Sequence, residues 1–399
     1  MQNAIYFIIW FWPCMGIKMK IVHIADLHIG KIVNGFVMLE DQRFVLDQVL
    51  EILEEEKAEA LILAGDIYDR AVPSASAVLL LDSFLTRVKK LGVYIFVIAG
   101  NHDSPERLGF AGALLKDNGL YIAGEWHGEL ERVELEDEYG KLFFYLMPFA
   151  RLAVMNNSMG TSYAAYEECV KEVLNRNAPD TRERNILAAH HFVSGEGEPE
   201  LCDSENILTV GGIDRISGYV FADFDYTALG HLHGPQWVVE GKVRYAGSLL
   251  KYSFSETFHK KSVTVVELKE KGNVKTWVRE LKPLHDMRKI KGELKELIRE
   301  DVAALADKED YIHATLTNQE ELFEPIFALR AVYPNVMQLI LEKNKMDEDK
   351  LLLCSGTESL HVSIVDAFGE FYESVMQKDF DKEHRAVMEK ILEEMEEEA

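Results

Sequence analysis

Gly100-Asn101-His102-Asp103 follows the apolar run Val93 to Ala99, which reads Val-Tyr-Ile-Phe-Val-Ile-Ala. A run rich in β-branched and aromatic residues that ends at a glycine predicts a buried strand followed by a tight turn. The polar residues then lie at the carboxyl end of a strand, which is the edge where open α/β sheets bind ligands. An amide, an imidazole and a carboxylate suit a metal ion or a phosphate, but Asn and Asp are also common in turns that close strands. The rest of the chain decides between these interpretations.

Strand-like and helix-like segments alternate on both sides of this stretch. Strands are predicted at residues 20–25, 60–64 and 93–99, and helices at 39–56, 74–90 and 105–117. Ser74 or Ser76 is available to cap the second helix. This alternation predicts parallel strands joined by helical crossovers.

From Glu129 the pattern changes to hairpins. The strand pairs 130–135 with 142–146 and 237–239 with 243–245 are each separated by a turn that contains glycine. A helix at 163–174 and strands at 185–189 and 226–229 lie between the two hairpins. We therefore expect a second, more antiparallel sheet packed on the first.

A different pattern begins near Lys282 and predicts a small α+β domain. Its elements are a strand at 311–315, a helix at 319–330 and a strand at 336–341. The expected organisation is a catalytic domain at 19–281, a capping domain at 282–375 and a helix at 376–399. That last helix is either a solvated helix or a partner-binding helix, because five apolar side chains can share one face: Val387, Met388, Ile391, Leu392 and Met395.

Composition limits the class of protein. The chain has 399 residues, 48% of them hydrophobic, which is enough for a globular protein of one large domain and one small one. Its net charge of −25 argues against a broadly basic coat for nucleic acid but not against one basic groove. The four cysteines show no zinc-binding spacing and predict a reduced, cytoplasmic protein: Cys14, Cys169, Cys202 and Cys354.

Residues 1–18 contain an apolar segment, Ile5 to Trp12, that is too short to span a bilayer. A basic region before it and a small-residue cleavage site after it are both lacking. Met15 and Met19 are each possible starts. The segment is therefore interpreted as a mis-assigned start or a dispensable leader, with an interfacial anchor as the alternative.

Polar clusters like the first one follow four more predicted strands. They are Asp26-Leu27-His28, Gly65-Asp66-Ile67-Tyr68-Asp69, His190-His191 and Gly230-His231-Leu232-His233. Each cluster alone has a structural explanation, since Asp often caps the next helix and His is often only packed. Their joint occurrence at five strand ends predicts a metal centre.

The spacing within the clusters indicates which side chains can reach the same metal site. In Asp26-x-His28 and His231-x-His233 an extended backbone directs both side chains the same way. Two ions about 3.5–4 Å apart need a shared ligand, and the carboxylate of Asp66 can bridge them. A set of nitrogen and oxygen ligands without thiolate favours Mn²⁺, Fe²⁺ or Zn²⁺ over Mg²⁺.

The order Asp-x-His, Gly-Asp-x-x-Asp, Gly-Asn-His-Asp, His and Gly-His-x-His resembles the calcineurin-like metallophosphoesterase family. The resemblance runs from about residue 19 to beyond 370 and includes Leu39-Glu40-Asp41-Gln42-Arg43 and Lys251-Tyr252-Ser253-Phe254-Ser255-Glu256. It implies a four-layer αββα sandwich with a small α+β capping domain. Within the family the chain is similar to nuclease subunits that act on DNA.

The resemblance also implies roles for individual residues. Asp26, His28, Asp66 and His233 would hold one divalent ion, most simply Mn²⁺, and Asp66, Asn101, His190 and His231 a second. His102 would act on the leaving oxygen, and Asp103 could orient it. The metal role passes to His190 and only weakly to its neighbour His191.

The implied partners are DNA and an SMC-like ATPase subunit, with a homodimer of this chain inside a heterotetramer and no membrane. Duplex ends would be cut exonucleolytically and single strands endonucleolytically. Basic residues expected to contact phosphates are Arg70, Lys251, Lys260, Lys261, Lys282, Arg288, Lys289, Lys291, Lys295 and Arg299. The alternative activity is a phosphodiesterase or phosphomonoesterase for small molecules on the same metal core, and a non-catalytic scaffold is a third class.

Overall fold

A computed structural model describes residues 19–197, 199–205, 215–320 and 322–342, together with Phe380, His384, Arg385, Val387 and Met388. The predictions for residues 1–18, for Cys14 and Cys354, and for most of 343–399 fall outside the described residues. Two compact units divide at residue 342, Met1–Glu342 and Lys343–Ala399, and the contacts described below lie in the first. In the part of the chain that is described, no helix has the length and apolar character needed to cross a membrane.

The strands, in chain order, are β1 (Lys20–Ile24), β2 (Ile32–Val33), β3 (Phe36–Val37), β4 (Ala60–Ala64), β5 (Tyr94–Ile98), β6 (Leu120–Ala123), β7 (Glu131–Asp137), β8 (Gly140–Met147), β9 (Arg184–His190), β10 (Val193–Ser194), β11 (Ile216–Ser217), β12 (Tyr226–Gly230), β13 (Gln236–Val239), β14 (Val243–Tyr245), β15 (Ser262–Leu268), β16 (Val274–Glu280), β17 (Met287–Gly292), β18 (Tyr311–Leu316) and β19 (Val336–Leu341).

The α-helices are α1 (Leu39–Glu56), α2 (Ala75–Lys90), α3 (Pro105–Leu108), α4 (Gly112–Leu115), α5 (Leu152–Met159), α6 (Tyr166–Arg176), α7 (Leu294–Leu297), α8 (Glu300–Ala303) and α9 (Pro325–Arg330). Short 3₁₀ helices cover Lys116–Asn118, Gly218–Phe221 and Phe254–Glu256.

Two six-stranded sheets form the centre of the protein. The first has the order β16-β15-β1-β4-β5-β6, and β1, β4, β5 and β6 run parallel, as the alternating pattern predicts. The second has the order β13-β14-β12-β9-β8-β7. Its four inner strands are parallel and only the two edge hairpins are antiparallel. The first sheet also has two antiparallel pairs, β16 with β15 and β15 with β1. The expectation that the second sheet is more antiparallel than the first is therefore wrong, because the hairpins visible in the sequence form only its edges.

Successive side chains of each strand point to opposite faces of the sheet and therefore belong to different layers of the core. Val22, Leu61 and Val97 face the helices α1 and α2, whereas their neighbours face the second sheet. Between the sheets the rings of Phe96 and Phe144 stack with centroids 4.0 Å apart. On the far side, the second sheet packs against α5 and α6. The αββα sandwich is confirmed.

A third sheet, β17-β18-β19, is parallel and packs on the short helices α7 and α9, so the small α+β domain is confirmed as well. Asp41 of α1 joins it to the sandwich. This buried carboxylate accepts from the Tyr311 hydroxyl (2.8 Å) and from His285 Nδ1 (2.9 Å). The domain boundary near residue 282 stays a prediction.

Two local predictions need correction. The helix expected at 105–117 is broken into α3, α4 and a 3₁₀ turn, because Ala111 at the junction has a positive φ of 60°. The helix expected at 319–330 begins only at Pro325. Ser74, rather than Ser76, caps α2 by accepting from the backbone N–H of Ala77.

A buried ion pair provides a test of the fold. Arg184 of β9 donates two hydrogen bonds to Asp137 at the end of β7, and both side chains are almost fully buried. Asp137→Ala would leave the guanidinium without its counter-ion, so we expect a loss of about 3–5 kcal/mol in the free energy of unfolding. Chemical denaturation followed by circular dichroism measures it. Asp301→Ala, which breaks an exposed pair with Arg299, should cost less than about 1 kcal/mol, and equal effects would contradict the prediction.

Candidate metal centre

All seven predicted ligands lie at one end of the sandwich. They follow β1, β4 and β5 of the first sheet and come at or after the ends of β9 and β12 of the second. Asp26, His28, Asp66, His190 and His233 are at most 2% exposed, and Asn101 and His231 are partly exposed. The two sheets therefore bring together residues up to about half the chain apart.

The first group consists of Asp26, His28 and His233. Their ligand atoms lie within 4.8 Å of one another, and the Nε2 atoms of the two imidazoles are 3.1 Å apart. The other ring nitrogens point outward. His233 Nδ1 lies 2.8 Å from Ser204 Oγ, and His28 Nδ1 lies 3.7 Å from Asp69. Two ring nitrogens and a carboxylate therefore converge on one point.

The second group consists of Asp66, Asn101, His190 and His231. His190 Nε2 lies 3.4 Å from an Asp66 carboxylate oxygen and 3.2 Å from Asn101 Oδ1. His231 Nδ1 lies 3.0 Å from the same Asn101 oxygen. His190 Nδ1 is 2.7 Å from the carbonyl of Ala64, to which it donates, so its Nε2 is left to face the other ligands.

Asp66 lies between the two groups. Its Oδ2 atom is 3.4 Å from His190 Nε2 and 3.7 Å from His28 Nε2, while its Oδ1 accepts from the backbone N–H of His102 (2.9 Å). One carboxylate therefore contacts a ring of each group, which is the placement that a bridging ligand requires. The bridging role itself stays a prediction.

The backbone is strained at these residues. Asp26, His28, Asp66 and His231 have φ values of 52°, 45°, 50° and 109°. Such conformations cost non-glycine residues on the order of 1–3 kcal/mol each and cluster at functional sites. The extended backbone expected through Asp26-x-His28 and His231-x-His233 is therefore wrong, because the strand ends turn sharply here and direct short side chains into one small volume.

The pKa values of the site residues reflect the burial of two carboxylates close to one another. Burial raises the pKa of Asp26 well above its ordinary value, and the charge of Asp66 adds to the rise. Burial alone would also raise the pKa of Asp66, but the His190 ring holds it well below its usual range. Burial alone would lower the pKa of His190, but Asp66 raises it to about 9. The opposite shifts of the Asp66 and His190 pKa values have the same physical cause, which is the attraction between the two groups in a buried site.

The other predicted site residues lie nearby. His102 is partly exposed, its Nδ1 donates to the carbonyl of Asp69 (3.0 Å), and its ring contacts that of His28. Asp103, expected to orient His102, accepts from the backbone N–H groups of Gly100, Ile67 and Tyr68 and so ties two loops together. His191 is buried beside Phe149 and Tyr166, away from the two groups.

One predicted phosphate contact does not fit. Lys261 is 6% exposed and donates to Glu256, Ser248 and the His233 carbonyl. Lys261 therefore stabilises the residues that hold His233, and it is too buried to contact the phosphates of a polymer. Arg70 and Lys260 are largely exposed, while Lys251 is mostly buried and pairs with Asp286.

Sequence reasoning missed the residues that support the ligands. Gln42 is buried and donates to the carbonyl of His28 (2.7 Å) and to Leu27, and its own carbonyl accepts from Gly30. Glu205 accepts from the backbone N–H of His233 (2.5 Å). The sequence did contain a signal for the burial of Gln42, because this residue lies three positions before Val45 and therefore on the apolar face of α1.

The donor set fits a pair of divalent ions. Two buried carboxylates, an amide oxygen and four imidazole nitrogens suit borderline cations, and the facing Nε2 atoms of His28 and His233 leave a position that a cation fills. Buried charges of this kind are stable when they coordinate metals. Asp26, His28, His233 and Asp66 would hold one ion, and Asp66, Asn101, His190 and His231 the other.

A four-layer sandwich with such ligands at the strand ends defines a metallophosphoesterase. Comparison with known families agrees, since the calcineurin-like phosphoesterase family matches residues 19–235. The family described as the type 5 capsule protein repressor C-terminal domain matches residues 283–376. The chain is 34% identical over 327 residues to the SbcD subunit of the SbcCD nuclease from Staphylococcus epidermidis, covering 80% of this chain and 85% of that protein.

This chain therefore belongs to the calcineurin-like phosphoesterase family, in the group that includes the SbcD proteins. Solved structures similar to it include the phosphopantetheinyl hydrolase of Mycobacterium tuberculosis, at 17% identity and a TM-score of 0.33 over 58% of this chain and 90% of that one. Another is a dimetal phosphatase from Danio rerio, at 12% identity and a TM-score of 0.39 over 66% and 96%.

The close approach of two strand ends gives a test of the site. A Cβ atom on Gly100 would lie 2.1 Å from Asp66 Oδ1 and 2.2 Å from the Asp66 backbone nitrogen, so Gly100→Ala must displace both the carboxylate and the backbone of Asp66. We expect the variant to stay folded and to bind Mn²⁺ at least about 10-fold more weakly in a calorimetric titration, as removal of a ligand's support commonly does. Gly197→Ala, whose Cβ would meet no atom, is the control. Wild-type Mn²⁺ binding by Gly100→Ala would contradict the placement of Asp66.

Proposed function

We propose that this protein is a two-metal-dependent DNA phosphodiesterase, the nuclease component of a complex of the SbcCD type. It would degrade duplex ends exonucleolytically in the 3′ to 5′ direction, cut single strands and hairpins endonucleolytically, and so act in DNA repair and recombination. Mn²⁺ is the proposed ion, with Fe²⁺ or Zn²⁺ as alternatives. The observation that carries the proposal is the convergence of seven nitrogen and oxygen ligands in a chain 34% identical to an SbcCD nuclease component.

The mechanism follows from what each residue can do. When bound, two divalent ions supply an activated water and neutralise charge that develops on the phosphate. The Asp66 carboxylate contacts one imidazole of each ligand group and so keeps the two groups at a fixed spacing. The Ala64 carbonyl fixes the His190 tautomer, so that Nε2 faces the reaction. The burial of the ligands excludes bulk water and strengthens each electrostatic interaction with the phosphate.

His102 is proposed to act on the leaving oxygen. Its Nδ1 hydrogen is committed to the Asp69 carbonyl, which directs Nε2 toward the site, 4.0 Å from Asp66. Its side chain is 19% exposed, in contrast to the buried ligands beside it. A group that meets the substrate needs that exposure, and histidine is the side chain that most often serves as a general acid or base.

The proposed partners are DNA and an SMC-like ATPase of the SbcC type. Exposed basic side chains, Arg70 and Lys260 among them, would contact phosphates by charge alone. A homodimer within a heterotetramer is part of the proposal. The helix proposed to bind the partner, residues 376–399, lies almost entirely outside the described residues.

The direct test uses the purified full chain with Mn²⁺ and two substrates, an end-labelled duplex DNA and a chromogenic phosphodiester. We expect metal-dependent shortening of the DNA, abolished by a chelator and restored by Mn²⁺. Hydrolysis of the small ester alone would replace the nuclease function with the small-molecule alternative.

Asp66→Asn tests the bridging role. The substitution removes the shared negative charge with little change in volume, so we expect fewer than two Mn²⁺ ions per chain by elemental analysis and loss of nearly all activity. The thermal unfolding midpoint in chelator should stay near that of the wild type. Asp117→Asn, at an exposed aspartate, controls for the loss of charge. Two ions at full occupancy in Asp66→Asn would exclude bridging.

His102→Ala separates chemistry from binding. Because His102 is proposed to act on the transition state, turnover should fall about 10²-fold or more, while Mn²⁺ content and DNA affinity stay unchanged. His127→Ala, at an exposed histidine, should have no effect. Reduced Mn²⁺ content with normal turnover per bound ion would instead make His102 a ligand.

A further inference from the structure

The outer side of the His233 ring faces a chain of buried polar groups that the proposed mechanism leaves unused. His233 is 2% exposed, and its Nε2 faces His28. Its Nδ1 lies 2.8 Å from the hydroxyl oxygen of Ser204. That hydroxyl lies in turn 2.6 Å from Oε1 of Glu256.

The direction of these two hydrogen bonds follows from the number of hydrogens. A carboxylate only accepts, so the single hydroxyl hydrogen of Ser204 is donated to Glu256. The Ser204 oxygen can then only accept from His233, which requires the hydrogen of the imidazole to be on Nδ1. The lone pair of the ring is thereby placed on Nε2, the nitrogen that faces His28 and Asp26.

Glu256 is held as a carboxylate by its other contacts. It is fully buried and lies 2.6 Å from the ammonium group of Lys261, and it also accepts from the backbone N–H of Tyr252. The Lys261 ammonium has three hydrogens and three partners, since it also donates to Ser248 Oγ (2.8 Å) and to the carbonyl of His233 (2.9 Å). Buried ion pairs are stable when every donor and acceptor is satisfied in this way.

We propose that Ser204, with Glu256 and Lys261 behind it, is a positioning residue that sets the tautomer and orientation of His233 for metal binding. The inference rests on the proposed function, because His233 must be a ligand for its tautomer to matter. Partners that orient a metal-binding imidazole in this way typically change metal affinity 10–100-fold when removed.

The neighbouring imidazole provides a contrast. His28 Nδ1 is buried, has no hydrogen-bond partner among the described residues and lies 3.7 Å from the nearest Asp69 oxygen. Its tautomer is therefore set less firmly than that of His233. Both rings belong to the first ligand group, so the effect of Ser204 should fall on one of the two ion positions.

The loop that carries Ser204 also holds the backbone of His233, which complicates a simple substitution. Glu205 accepts from the His233 N–H, and Ser255 Oγ accepts from the N–H of Asp203 (3.0 Å). A variant could weaken metal binding only because this loop moves. Ser255→Ala removes one anchor of the same loop without touching the His233 ring, and it is the matched control.

The experiment measures Mn²⁺ binding to the full chain by the electron paramagnetic resonance signal of free Mn²⁺. We expect two sites in the wild type, and Ser204→Ala should weaken one of them about 10–100-fold. Ser204→Thr keeps a hydroxyl and should restore that site, and Ser255→Ala should leave both unchanged. Thermal unfolding in chelator checks that all four proteins are equally folded before metal is added.

Four results would overturn the inference. Unchanged binding in Ser204→Ala would show that His233 needs no support from the hydroxyl. Equal weakening in Ser255→Ala would assign the effect to the loop, and failure of Ser204→Thr to restore the site would exclude hydrogen bonding as the cause. Failure of the wild-type protein to bind Mn²⁺, Fe²⁺ or Zn²⁺ would overturn the proposed function and this inference with it, so the two failures are distinguishable.

Discussion

The carboxylate of Asp66 contacts an imidazole from each of two ligand groups, and the rest of the structure makes that contact possible. His28 follows β1 of the first sheet and His190 ends β9 of the second. The strand ends can meet only if the sheets pack at a fixed distance, which the stacked rings of Phe96 and Phe144 help to set. Because Asp66 is buried, a misplaced carboxylate there would remain unpaired at a cost of several kcal/mol.

The sequence predicts much of this arrangement because strand and ligand signals are local. Buried strands such as 60–64 and the helix 39–56 agree residue by residue with the structure. The polar clusters after them are visible without knowledge of the fold. What the sequence alone does not show is pairing between distant segments. The second sheet was expected to be more antiparallel than the first because a hairpin is a short-range signal, whereas the parallel pairing of β9 with β12 is long-range.

The supporting residues escaped prediction for a related physical reason. Ser204, Glu205 and Glu256 occur in loops or short turns, and none has a spacing that marks a site. Their roles appear only when the chain brings residues about 30 to 50 positions apart into hydrogen-bond distance. Lys261 illustrates the limit of prediction from sequence. A lysine in a sequence suggests a surface charge, and only the fold shows that this one is buried against Glu256.

The first turn of α1 connects the capping domain with the metal centre through two adjacent side chains. Asp41 accepts hydrogen bonds from Tyr311 and His285 of the cap segment, while Gln42 donates to the carbonyl of His28. Both are buried, so neither can change partners without leaving a polar group unsatisfied. The cap segment is in this way joined, through one helical turn, to the loop that carries a proposed ligand. A displacement of the cap would therefore be transmitted to the backbone of His28 through hydrogen bonds that cannot be exchanged for others at low cost.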